Sequence, residues 1–67
     1  MMEIKLNGKW TAFPDGATVA DVLDATGGRR PGIAVAVEGV VVRRADWATT
    51  AVPKGAGVDV LTAVQGG

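Results

Sequence analysis

The 67 residues contain neither cysteine nor histidine, and that double absence constrains the fold more than any residue that is present. A chain this short is marginal unless disulfides, a metal or very regular packing hold it. Disulfides and Cys/His zinc sites are excluded by composition, so packing has to suffice. The packing material is limited as well: apolar residues make up 48% of the chain, but 11 of them are alanine and 11 are valine. Offsetting about 1.5 kcal/mol of conformational entropy per residue with such small groups requires regular elements that share one core. An α+β arrangement meets that requirement.

Period-two alternation in Met2-Glu3-Ile4-Lys5-Leu6 predicts a half-buried strand. Asn7-Gly8 follows, and both residues tolerate the positive φ of a type I′ turn, so Lys9–Phe13 is predicted to return as a hairpin. Pro14-Asp15-Gly16 has turn chemistry. Thr18 with Asp21 three positions later reads as a capping box with Asp in the Glu position. A helix is therefore predicted from Val19 to about Thr26, with Val19, Val22 and Leu23 forming one apolar stripe and Gly27 ending it. Residues 28–32 read as an exposed loop, because Pro31 disfavours a helical Arg30.

Ile33–Val37 is an unbroken apolar run and predicts a central strand buried on both faces. Glu38-Gly39 then predicts a tight turn into a strand at Val40–Val42. Residues 43–53 have no clear period; Asp46 is a candidate cap for a short helical turn and Trp47 a candidate core anchor. After a turn at residues 54–57, residues 58–64 predict a last strand that returns beside the first and runs straight into Gln65-Gly66-Gly67. The expected architecture is a mixed sheet of four or five strands packed on one main helix. A single helix leaves one sheet face uncovered, and that face is a candidate partner surface.

Composition also removes most functions. There is no serine or tyrosine either, so Ser–His and Cys–His nucleophile pairs and imidazole acid–base catalysis are absent, and an independent enzyme is not expected. Seven basic residues balance seven acidic ones, which removes the long-range field that drives nucleic-acid binding. No apolar run approaches a membrane span, and Met-Met-Glu-Ile-Lys lacks a secretory signal, so a soluble, cytoplasmic chain is expected. Asp15, Asp21, Asp24 and Asp59 fall at turn, cap and strand positions that account for them without a metal. Trp10 and Trp47 are expected mainly to complete the core, and Arg29-Arg30 and Arg43-Arg44 to be solvated.

What remains is Gly66-Gly67. Two residues without Cβ atoms can thread a narrow channel in another protein and present a terminal carboxylate there, ionised at neutral pH. A carboxylate becomes an acyl donor only once its oxygen is made a leaving group, and adenylation by ATP does that. The chain has no G-x-x-x-x-G-K-[ST] phosphate loop, so an activating enzyme has to act in trans. The alternative is a frayed tail.

Taken together, Ile4-Lys5-Leu6-Asn7-Gly8, the Thr-Val-x-x-x-Leu pattern of residues 18–23, Gly-Ile-Ala-Val-Ala-Val at residues 32–37, Val-Val-x-Arg-x-x-Trp at residues 41–47 and the Leu-Thr-Ala-Val-Gln-Gly-Gly ending resemble the ThiS-type sulfur carriers of thiamine biosynthesis. The resemblance spans nearly the whole chain. It implies a ubiquitin-like β-grasp domain over residues 1–67, with residues 65–67 as a flexible tail. It also implies a cycle at Gly67: a ThiF-type adenylating enzyme activates the carboxylate with ATP, a sulfur-relay protein supplies sulfur to make a thiocarboxylate, and thiazole synthase accepts it. Gly66, Gln65, Val64 and Ala63 would form the recognition segment, with no cofactor bound by the chain itself. The same chemistry would serve a molybdopterin-type or other sulfur carrier, and the fold alone would serve a ubiquitin-like interaction module. Glu38 stands where Asn is expected, and Lys54-Gly55-Ala56-Gly57 is less acidic than expected.

Overall fold

A computed structural model describes residues 1–29 and 31–62. Strands β1 (Met2–Leu6) and β2 (Lys9–Phe13) pair antiparallel, from Met2 opposite Phe13 to Leu6 opposite Lys9. Asn7 (φ +50°) and Gly8 (φ +84°) join them with both central residues left-handed, the type I′ geometry whose twist matches that of the strands. Met2 and Ile4 are buried while Glu3 and Lys5 are exposed, as the alternation predicts.

Helix α1 (Val19–Ala25) begins at a complete capping box. The Asp21 amide donates to the Thr18 hydroxyl at 3.2 Å, and the Thr18 amide to the Asp21 carboxylate at 3.0 Å. The other two orphan donors of the first turn are met by a distant segment: the Val19 amide donates to the Thr50 carbonyl and the Ala20 amide to the Trp47 carbonyl. All four N–H groups that a helix start leaves unpaired are thus satisfied. At the other end the Gly28 amide donates to the Leu23 carbonyl at 2.7 Å past a left-handed Gly27, the Schellman closure.

Strands β3 (Ile33–Val37) and β4 (Val40–Val42) flank a second two-residue turn at Glu38-Gly39. A short 3₁₀ turn follows at Arg44–Asp46, and β5 spans Gly57–Thr62. The sheet order is β2-β1-β5-β3-β4, with β1 and β5 parallel and the other pairs antiparallel. Five mixed strands on one helix make the ubiquitin-like β-grasp fold. Ile4, Val19, Val22, Leu23, Val35 and Val58 are its fully buried centre.

Three expectations are corrected. The middle strand is β5, and β3 is buried on one face only: Val35 is buried while Ala34 is exposed. An apolar run marks a two-faced core strand only where a second layer exists, and here the one helix covers one side. Asp46 closes the 3₁₀ turn and does not cap it; Arg43 holds the cap position, with no side-chain bond. Trp47 is the core anchor, its indole N–H donating to the Val42 carbonyl at 2.9 Å and its ring covered by the Arg44 guanidinium at 4.6 Å. Trp10 does not complete the core and is 56% exposed.

Candidate functional site

Gly67, Gly66, Gln65, Val64 and Ala63 lie outside the described residues, as does Arg30. The structure does define the strand that leads to the tail. On one edge of β5 the Lys5 amide donates to the Ala56 carbonyl and the Asn7 amide to the Val58 carbonyl. On the other edge β3 runs antiparallel from Val37 opposite Val58 to Ile33 opposite Thr62. Val58 is wholly buried. The residue immediately before Ala63 is therefore still held in the sheet, while β1 has already ended at Leu6, opposite Val58.

Two left-handed turn residues bond to β5 through their side chains. At the start of the strand, the Glu38 amide donates to the Gly57 carbonyl at 2.8 Å, and the Gly57 amide donates back to the Glu38 carboxylate at 2.6 Å. Farther along, just past the end of β1, the Val60 amide donates to the Asn7 side-chain oxygen at 2.8 Å. A turn residue at φ near +50° swings its own carbonyl out of the ladder, and in both cases the side-chain oxygen takes that carbonyl's place. Sequence reading identified Asn7 as a turn residue and Glu38 as a departure; neither side-chain role was foreseen. The signal available is the shared pattern of a side chain with an acceptor oxygen before glycine in a two-residue turn.

The sheet face turned away from α1 carries no covering element among the described residues. The register places Trp10 and Ala12 of β2, Ala34 and Ala36 of β3, Val41 of β4 and Leu61 of β5 on it, with Glu3, Lys5 and Asp59 among them. Leu61 is 60% exposed and Val41 70%, and the Lys5 ammonium stands 6.0 Å from the Trp10 ring. Leu61 lies one residue before Thr62, so the apolar face is continuous with the strand end that leads to the tail.

Among the described residues, the remaining charged side chains make no reaction centre. Arg29 pairs with Asp24 at 3.0 Å, Asp15 lies 3.6 Å from the Met1 amino group, and Arg43 is exposed. No trio of acidic side chains is gathered to hold a metal among the described residues, and no helix is long and apolar enough to cross a membrane.

The family model that matches the chain is that of the ThiS family, over residues 3–67. The chain belongs to the ThiS family. Among solved structures, the thiamine biosynthesis protein ThiS of Geobacter metallireducens superposes with a TM-score of 0.81 at 30% identity, covering 98% of this chain and 100% of that one. No curated protein matches it in sequence. ThiS-family chains are small sulfur carriers of thiamine biosynthesis, and that role comes with membership.

Proposed function

We propose that the chemistry runs through the carboxylate of Gly67. A ThiF-type enzyme binds the chain; a Gly67 carboxylate oxygen attacks the α-phosphorus of ATP, and pyrophosphate leaves. Cysteine-derived sulfur is carried by a relay protein as a persulfide; its terminal sulfur attacks the acyl carbon with AMP as the leaving group, and a thiol reductant then cleaves the resulting acyl disulfide, leaving as the mixed disulfide. The product is a C-terminal thiocarboxylate, which donates its sulfur to thiazole synthase. ATP is used by the activating partner and consumed in the step, and the reading places the carrier in the cytoplasm.

One observation carries this reading: the family match runs through Gly67, on a β-grasp whose innermost strand is paired on its β3 edge up to Thr62. The internal chemistry is correspondingly sparse, with no cysteine, histidine, serine or tyrosine. In this reading the open sheet face is where the activating enzyme docks, since Leu61, Val41 and Trp10 form an apolar surface adjoining the tail's strand. Ala63, Val64, Gln65 and Gly66 then occupy an extended channel in the enzyme that narrows toward the bare glycine end.

The test is a chain with one residue added after Gly67. The parent should release pyrophosphate from ATP in the presence of the activating enzyme, and the extended chain should not, while both give the same circular dichroism spectrum. Thiazole formation supported by the extended chain without trimming would rule the mechanism out.

A further inference from the structure

We propose that Asn7 is a positioning residue for the reaction at Gly67, acting through β5; the inference rests on the carrier reading above. The pairing of β1 with β5 ends at Leu6 opposite Val58, yet β5 continues to Thr62. Over that last stretch one edge of β5 is held by β3, and among the described residues no strand lies along the other. Asn7 supplies the only additional rung given by a described residue there: its side-chain oxygen accepts the Val60 amide at 2.8 Å, while its own amide donates to the Val58 carbonyl at 2.8 Å. One turn residue thus binds two successive outward-facing groups of the strand, three positions before Ala63.

A stretch of strand hydrogen-bonded on both edges has less freedom to fray than one bonded on a single edge. Asn7 therefore fixes where the last held residues of β5 point, and with them the origin of the segment that has to reach ATP in the partner. A tail with the wrong origin leaves docking through the sheet face intact and lowers the fraction of docked complexes in which the carboxylate is aligned with the α-phosphorus. The effect belongs in kcat and not in KM.

That assignment separates positioning from mere folding. The chain is the substrate, so a variant that is partly unfolded presents less competent substrate, which raises apparent KM and leaves kcat unchanged. Asn7→Gly is the informative substitution because glycine adopts φ +50° freely and Gly-Gly suits a type I′ turn, so the turn is kept and only the side-chain oxygen is lost. Asn7→Asp keeps both an oxygen at that place and tolerance of the left-handed backbone.

Pyrophosphate release is measured against carrier concentration with the ThiF-type enzyme and ATP, for the parent, Asn7→Gly and Asn7→Asp. The expected result is a fall in kcat of about five-fold for Asn7→Gly, the value of one lost net hydrogen bond, with KM unchanged and with Asn7→Asp restoring kcat. In the free chain, amide exchange at Val60 should quicken in Asn7→Gly and not in Asn7→Asp. Parental kcat in Asn7→Gly, a change in KM alone, or unaltered protection at Val60 overturns the inference and leaves the carrier reading standing. A parent chain that releases no pyrophosphate overturns the carrier reading itself, and this inference with it.

Discussion

Glu38 holds a left-handed backbone at φ +52°, a conformation that costs a residue with a Cβ about 1 kcal/mol. Its carboxylate offsets that cost by accepting the Gly57 amide, and the side chain is long enough to span the gap. Two substitutions separate the terms. Glu38→Ala keeps the strain and loses the bond, and should destabilise by about 1 kcal/mol. Glu38→Gly loses both and should lie within about 0.5 kcal/mol of the parent. Urea unfolding distinguishes them: no loss in Glu38→Ala would mean that the carboxylate contributes nothing, and equal losses would mean that the backbone at residue 38 is unstrained. Trp47 belongs to the same scale: Trp47→Phe leaves the Val42 carbonyl without its indole donor, and a urea midpoint should report a loss of about 2 kcal/mol from the bond and the smaller ring together.

At the level of elements, legibility followed the range of the interactions. The first hairpin and the start of α1 can be read from residues 2–21 because their determinants are local: Asn7-Gly8 specifies its own turn, and Thr18 and Asp21 satisfy each other's amides across three positions. The placement of β3 is misread from its own residues, since Ile33–Val37 looks the same whether one face or two is covered; the single helix expected from the sequence is what argues for one covered face. Residues 47–52 were obscure for a similar reason. They have no period of their own because they serve as a strap: the carbonyls of Trp47 and Thr50 cap a helix nearly thirty residues earlier, and the Val52 amide donates to the Ala17 carbonyl. The strap also makes the cap cooperative with the core through Trp47. Thr18→Ala should therefore cost about 1 kcal/mol in urea unfolding without detaching the strap, whose bonds to Val19 and Ala20 do not use the threonine hydroxyl.

For the whole molecule, the tail residues themselves lie outside the described structure, and the fold supplies their context. One face of the sheet is spent on stability, where Ile4, Val35 and Val58 meet Val19, Val22 and Leu23. In the proposed reading the other face is left to partners. Substitutions there should divide cleanly from those in the core. Leu61→Asp and Trp10→Ala should leave stability within about 0.5 kcal/mol, as exposed positions do, while raising KM for the carrier in adenylation about ten-fold, the effect of losing one well-packed anchor at an interface. Equal losses of stability and activity would place these residues in the fold instead of on the docking surface.

The central claim is that Gly67 is the reacting residue, and intact mass tests it most directly. The chain is incubated with a ThiF-type enzyme, ATP and a cysteine-derived sulfur source. The account predicts the mass change of one oxygen replaced by one sulfur, assigned to Gly67 by fragmentation and absent when ATP is withheld. An unchanged mass with an enzyme known to be active on its own carrier, or sulfur found on any other residue, would contradict it.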